Sequence, residues 1–104
     1  MIINKRNILK EAKKVLDIEI KSLRTLDKSF NSSFINIVSI IYNIKGRVIV
    51  TGIGKSGHIA NKTAATLTST GTPAHFVHPA EASHGDLGSI TKKDCILAFS
   101  NSGK

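Results

Sequence analysis

The sequence has little cysteine, little proline and no tryptophan: its 104 residues include one Cys, two Pro and no Trp. A single thiol excludes an internal disulfide, and the apolar neighbours of Cys95 predict an unreactive thiol in a strand. No stretch is long and apolar enough to cross a bilayer, and no apolar signal segment follows the basic N-terminus. We therefore expect one cytoplasmic domain at most, with no membrane partner.

Acidic residues are also scarce, since fifteen Lys and Arg against seven Asp and Glu give a formal net charge of +8. Such an excess attracts anionic partners. The basic residues near the N-terminus share one helix with an apolar face, and no aromatic side chains alternate with them to stack on bases. We interpret them as a solvated helix face and disfavour nucleic acid as a partner; a steep salt dependence of RNA affinity would show otherwise.

The first 45 residues have the apolar period of two helices. From about residue 4 to residue 29, apolar side chains recur every three or four positions. After the capping residues of "NSSF" the same period runs from Phe34 to Ile44, and "KG" ends it. Residues 1–45 are therefore predicted to form a helical hairpin, without a cluster of catalytic side chains.

The pattern changes at Gly46. "RVIVTGI" is a β-branched run without alternation, as expected for a strand covered on both faces in a parallel sheet. A helix from Ser56 to Thr70, a short strand "AHFVH", a brief helix in "PAEASHGDL" and a third covered strand "DCILAFSN" follow. This alternation predicts an α/β fold with right-handed βαβ units, a doubly wound, flavodoxin-like parallel sheet over residues 46–104. Three strands make a thin core, so we expect 1–104 to be a single partial domain.

The stretch "VTGIGKSGHIANKTA", residues 50–64, permits three phosphate-binding interpretations. A Walker A loop needs a glycine where Ile49 stands in the strand, so that motif is incomplete. A dinucleotide site is better formed, because the glycines of G-x-G-x-x-G follow a strand and open a helix. The acid that should bind ribose hydroxyls is replaced by His78, however, so this alternative is weak.

The third interpretation uses two loops. In a doubly wound sheet the first and third strands are neighbours, and the loops after them leave a crevice at the carboxyl ends. Here those loops are "GIGKSG" and "SNSG", whose hydroxyls and backbone N–H groups suit a terminal phosphate. The sequence thus predicts a phosphosugar pocket in which Ser56 and Ser102 share one cavity.

The strings "GIGKSGH", "STGTP", "FVHPAEASHGDLG" and "SNSG", in this order, resemble the sugar isomerase (SIS) domain. The string "HPAEASHGDLG" resembles the arabinose 5-phosphate isomerases within that family, and the likeness runs from about Lys45 to Gly103. It implies a partial SIS domain and reversible conversion of D-ribulose 5-phosphate to D-arabinose 5-phosphate, the first step toward the Kdo sugar of lipopolysaccharide. It also implies a cytoplasmic homo-oligomer, a tetramer in the family, that binds a phosphorylated sugar.

The resemblance implies roles for individual residues. Lys55 and His84 match catalytic positions, and His78 matches a histidine that can bind zinc, which looks inhibitory in the family. No cofactor is required. The implied substrate-binding residues are Ser56, Gly71, Thr72, His84, Ser100 and Ser102.

An aldose-ketose isomerase moves a proton between adjacent carbons through an enediol, which needs a base and a group that stabilises negative oxygen. Lys55 suits the second task, and His84 suits proton transfer or a contact to a sugar hydroxyl. Glu81, one helical turn from His84, is a candidate base or a partner of that histidine. Longer relatives carry further catalytic groups beyond the point where this chain ends. The alternative is therefore a truncated, inactive SIS remnant that at most binds phosphosugar, and we expect weak or no turnover from the 104 residues.

Overall fold

The computed structural model describes residues 3–82 and 85–103; for residues 82, 86 and 87 it describes the backbone alone. By their internal packing the residues divide into two compact units, 1–37 and 38–104. The prediction that 1–45 and 46–104 are two parts of a single partial domain stays a prediction. In chain order the helices and strands are α1 (Lys5–Leu26), α2 (Ser32–Asn43), β1 (Val48–Gly52), α3 (Lys55–Ser69), β2 (Ala74–Phe76), α4 (Pro79–Ala82) and β3 (Cys95–Phe99).

Both N-terminal helices begin at an asparagine cap. The Asn4 side chain accepts hydrogen bonds from the backbone N–H groups of Arg6 and Asn7, and the Asn31 side chain accepts one from Phe34. These bonds satisfy N–H groups that a first helical turn leaves without partners. The two predicted helices are confirmed, and every residue of α1 is exposed. None of the helices in the described part of the chain is long and apolar enough to cross a membrane.

The sheet has three parallel strands in the order β2, β1, β3. Val48 lies opposite both Ala74 of β2 and Cys95 of β3, and the pairing with β3 continues to Gly52 and Phe99. The first and third strands are therefore neighbours, as the strand and helix alternation predicts. Their carboxyl ends meet at one edge of the sheet, and the α/β fold is confirmed.

The core lies on β1. Val48, Ile49 and Val50 are at most 2% exposed, so this strand is covered on both faces, as its uninterrupted apolar run predicts. Ala60 and Ala64 of α3 pack against it, and their small side chains let the helix approach the sheet closely.

The β3 strand is covered on one face only. Cys95, Leu97 and Phe99 pack toward the core, while Ile96 is 58% exposed and Ala98 is exposed as well. The prediction of a strand covered on both faces is wrong here. An apolar run does not reveal whether its strand will lie in the middle of a sheet or at its edge.

At the amino end of the sheet, Asp94 ties β1 to β3. Its carboxylate accepts hydrogen bonds from the backbone N–H groups of Arg47 (2.6 Å) and Thr91 (2.8 Å), and the Arg47 guanidinium lies 3.8 Å away. The Thr91 N–H, then the Arg47 N–H and the guanidinium charge, hold the pKa of Asp94 below its ordinary value. A Cβ on Gly46 would collide with this carboxylate. Partial burial, with the Asp94 charge beside it, raises the pKa of the Cys95 thiol, so that thiol carries little thiolate.

Candidate functional site

An open cavity of about 490 Å³ lies at the carboxyl ends of β1 and β3. Its walls come from three separate segments: the end of β1 with the start of α3, Pro79 after β2, and residues 98–102. Ser56 lines one side, and Ser100 and Ser102 line the other. The two loops that the sequence predicts to converge therefore do share one cavity.

Close backbone contact fixes the first loop. A Cβ on Gly52 would lie 2.7 Å from the Ser56 carbonyl oxygen, and a Cβ on Gly57 would lie 2.7 Å from the Gly52 oxygen. Only glycine permits this approach at either position. Gly54, between them, has a φ of 62° and precedes the first residue of α3. The G-x-G-x-x-G spacing thus sets the helix start beside the strand end, where first-turn N–H groups border the cavity.

A short turn shapes the second loop. The Ser100 hydroxyl accepts a hydrogen bond from the Gly103 backbone N–H at 2.8 Å, and Gly103 has a φ of 76°. This bond curls the chain just after β3, so Asn101 and Ser102 between its ends line the cavity. The arrangement offers hydroxyl and amide groups opposite the positive end of α3, which suits a bound anion.

A second, smaller cavity of about 330 Å³ lies on the other side of the α3 start. His58, Asn61 and His78 line it, together with Gly54, Gly57 and Phe76. The Nδ1 atom of His78 accepts a hydrogen bond from the Ala80 backbone N–H at 3.1 Å, so the neutral ring carries its proton on Nε2, which is a donor. Among the residues that the structure describes, no group of three or more His, Cys, Asp or Glu could hold a metal ion.

Lys55 and Glu81, the described candidates for catalysis, are not among the described residues that line the serine cavity. Lys55 is the first residue of α3 and is exposed, and it is not among the described residues that line either cavity. Glu81 is exposed in α4. The prediction for His84 falls outside the described residues.

Gly71 and Thr72 lie at the opposite end of the sheet from the three serines. They precede β2, where the Thr72 N–H donates to the Leu67 carbonyl and the Val48 N–H donates to the Pro73 carbonyl. The five-residue strand β1 separates the two ends by roughly 16 Å, at about 3.3 Å per residue. The structure therefore brings Ser56, Ser100 and Ser102 together and leaves Gly71 and Thr72 apart from them.

Sequence reasoning missed several residues that line these cavities, among them Thr51 and His58. Thr51 lines the first, and its hydroxyl donates to the Val77 carbonyl at 2.6 Å; the only sequence signal is a hydroxyl at the end of an apolar strand. His58 lines the second cavity together with His78, and it lies in the helix that the glycine motif opens. Neither residue belongs to a pattern that its spacing alone would have assigned.

Known proteins resemble this chain closely. The family model described as the SIS domain matches residues 40–104. The arabinose 5-phosphate isomerase KdsD of Yersinia pestis is 56% identical over 92 residues, which are 88% of this chain and 28% of that protein. The uncharacterized protein RP505 of Rickettsia prowazekii is 48% identical over 103 residues, 99% of this chain and 32% of that protein.

A solved structure has the same fold. An Escherichia coli CFT073 protein in complex with arabinose 5-phosphate superposes with a TM-score of 0.88 at 41% identity, over 98% of this chain and 54% of that one. The chain thus spans about half of that solved protein and under a third of the two curated relatives.

Proposed function

This chain belongs to the SIS domain family, and from that premise we propose that it acts on phosphosugars, as an isomerase that interconverts D-ribulose 5-phosphate and D-arabinose 5-phosphate. One observation carries the proposal: Ser56 and Ser102, from loops far apart in the chain, line one cavity. Similarity to proteins named arabinose 5-phosphate isomerase, and to one solved with arabinose 5-phosphate, supports the choice of sugar.

The phosphate of the substrate binds between the two loops. The α3 N-terminus supplies backbone N–H groups and a partial positive charge, and three serine hydroxyls supply further donors. The formal net charge of +8 adds long-range attraction for a dianion. The sugar carbons then extend from the phosphate toward the open side of the cavity.

Isomerisation proceeds through an enediol. We assign stabilisation of the negative oxygen to one residue, and proton transfer or a contact to a sugar hydroxyl to another. Lys55, next to Ser56 in the first turn of α3, stabilises the developing oxygen charge once its flexible side chain turns toward the bound sugar. His84 transfers a proton or holds a sugar hydroxyl, an assignment that rests on the family resemblance. Glu81, exposed in α4, is the candidate partner of His84.

We further propose that the chain forms a homo-oligomer. The family resemblance implies a tetramer. A pentose phosphate is shorter than the roughly 16 Å of strand between Thr72 and the serines. One copy therefore does not contact one substrate molecule with both groups. Gly71 and Thr72 act as substrate contacts only if they serve the site of a neighbouring copy.

The reaction requires no cofactor, and zinc binds as an inhibitor. His58 and His78 line one cavity, and a zinc ion there would be held weakly, since two imidazoles fall short of the four ligands of structural zinc sites. To bind zinc through Nε2, His78 would also have to move its proton to Nδ1 and lose the hydrogen bond from the Ala80 N–H. Such an ion would exchange readily with solvent. While bound, it would occupy the cavity next to the turn that precedes α4. By the same resemblance, we propose that the reaction occurs in the cytoplasm and leads toward Kdo and lipopolysaccharide.

A second candidate is phosphosugar binding without turnover. It is favoured by the position of Lys55, which does not line the serine cavity. Both candidates place the phosphate between the same two loops, so they differ only in what happens to the sugar.

One experiment separates the two candidates. D-Arabinose 5-phosphate and, as a control without phosphate, D-arabinose are titrated into the 104-residue chain by calorimetry, and conversion of D-ribulose 5-phosphate is followed in parallel. Turnover that Lys55→Ala abolishes supports the isomerase. Saturable binding without turnover supports the second candidate. Equal affinity for arabinose and its phosphate would overturn both.

A further inference from the structure

We propose that Thr51 is a positioning residue, which holds the turn carrying His78 and Pro79 against the carboxyl end of β1. Its hydroxyl donates to the Val77 carbonyl at 2.6 Å, and the residue is half-buried near the end of β1, just before the glycine loop. No motif of the sequence assigns Thr51 a role, and its place in the first cavity is a finding of the structure.

The contact continues the sheet where backbone pairing ends. The register between β1 and β2 stops at Val50 and Phe76. One residue further, the Val77 N–H donates to the Val50 carbonyl at 2.9 Å, and its carbonyl accepts from the Thr51 hydroxyl. Both backbone polar groups of Val77, a residue only 6% exposed, are thus held by consecutive residues of β1.

The two residues that follow Val77 line the two cavities. Pro79 lines the serine cavity together with Thr51, while His78 lines the second cavity with His58. The ring of His78 is oriented by the Ala80 N–H at its Nδ1 atom. A shift of the Val77 carbonyl would therefore move a wall of the phosphosugar site and the histidine ring in one step.

Threonine suits this position for two reasons. Its β-branched side chain fits a strand, and its hydroxyl supplies a donor to a carbonyl that is shielded from water. A valine there would keep the shape and leave the carbonyl without that donor, which favours a relaxed position of the turn. The effect of this contact on catalysis rests on the function proposed above. Its effect on the position of His78 does not depend on that function.

The test compares Thr51→Val and Thr51→Ser with the control Thr63→Val. Thr63 is also half-buried, and its hydroxyl donates to the Ile59 carbonyl at 2.7 Å, but inside α3 and away from the turn. The readout is the set of NMR signals of the His78 ring. We expect Thr51→Val to shift these signals, because the turn that carries His78 loses its contact with β1. Thr51→Ser and Thr63→Val should leave the signals where they are in the unmodified chain.

Ring signals in Thr51→Val that coincide with those of the unmodified chain would overturn the proposal. So would equal effects of Thr51→Ser and Thr51→Val, since the hydroxyl would then be irrelevant. If Thr51→Val does not fold, the Thr51 hydroxyl proton of the unmodified chain decides: protection from exchange with water supports the contact, and free exchange contradicts it.

The same variants keep this inference separate from the proposed function. Absent phosphosugar binding alongside a clear His78 response would sink the function and leave the positioning role intact. Normal phosphosugar binding with an unresponsive His78 ring would do the reverse. If the unmodified chain turns over D-ribulose 5-phosphate, Thr51→Val should lower kcat by about tenfold or more, because misplaced groups cost rate steeply. Thr51→Ser should restore that rate.

Discussion

The two ends of the parallel sheet are built from different chemistry. At the amino end, the Asp94 carboxylate accepts two backbone N–H groups, lies near the Arg47 guanidinium, and is 3% exposed. At the carboxyl end, Gly52 and three serines are among the residues that line an open cavity of about 490 Å³. The first end uses its charge to satisfy its own backbone N–H groups, while the second brings the start of α3 and the side chains of Ser56 and Ser102 to an open cavity.

This difference indicates which end is structural and which is functional. A charge whose partners are all within the chain contributes to stability and has little left for a ligand. N–H groups at a helix start, with no acidic side chain among the described residues that line the cavity, form a site that an anion completes. We therefore expect substitution of Asp94 to change stability alone, and substitution of residues that line the cavity to change binding.

The largest effect is expected from Gly57→Ala, which tests whether the carboxyl end depends on backbone contact. The new methyl group would lie 2.7 Å from the Gly52 carbonyl oxygen, so α3 must move away from β1. We expect a loss of about 3 kcal/mol in the free energy of unfolding, measured by urea denaturation, together with lost phosphosugar binding. Gly88→Ala is the control, since no atom of the described residues lies within 4 Å of its added Cβ. Equal stability of the two variants would contradict the close contact.

The next effect concerns the amino end. Asp94→Asn keeps the shape of the side chain and removes the charge that the Thr91 and Arg47 N–H groups and the Arg47 guanidinium stabilise. We expect a lower Tm, a smaller loss than in Gly57→Ala, and unchanged affinity for D-arabinose 5-phosphate. A loss of binding free energy as large as the loss of unfolding free energy would contradict the distinction between the two ends.

The same carboxylate sets a pH dependence. Its pKa in the folded chain is below the ordinary value of 3.8, so the folded state binds this proton less readily than the unfolded state. Its contribution to stability is therefore complete above about pH 4 and is lost as the pH falls through the lowered pKa. Acid unfolding of the unmodified chain and of Asp94→Asn, followed by circular dichroism, should converge below that range.

A third effect lies at the carboxyl end. Ser102→Ala removes one hydroxyl from the serine cavity without touching the core. We expect phosphosugar affinity to fall by about fivefold, which corresponds to about 1 kcal/mol for one hydrogen bond, at unchanged Tm. Ser69→Ala, at the other end of α3 where its hydroxyl bonds the Thr66 carbonyl, is the matched control. Parallel losses in both variants would mean that the anion does not bind between the two loops.

The sequence predicted the carboxyl end better than the amino end. Glycine spacing and a β-branched run are local signals, and they were sufficient to predict that Ser56 and Ser102 share a cavity. The roles of Ser56, Ser102 and Lys55 in binding and catalysis stay predictions. The Asp94 contact joins residues far apart in the chain, and no local pattern marks it.

Two further features were beyond local patterns for the same reason. The Thr51 contact depends on where β2 ends beside β1, which only the folded sheet determines. The placement of Gly71 and Thr72 follows from the direction of α3, which carries the chain back to the amino end before β2 begins. A motif match identifies such residues, but it does not say at which end of the sheet they lie.

The smallest effect is expected on β3, which extends from one end of the sheet to the other. Ile96 is 58% exposed, so Ile96→Thr keeps the β-branched shape and should change the unfolding free energy of a single copy by about 0.5 kcal/mol or less. Leu97→Ala, whose side chain packs toward the core, should cost about 2 kcal/mol or more and is the comparison variant. A large loss in Ile96→Thr that grows with protein concentration would show that a second copy covers this face. In that case the sheet would be part of a larger assembly. Thr72 of one copy would then be able to lie near the serines of a neighbouring copy.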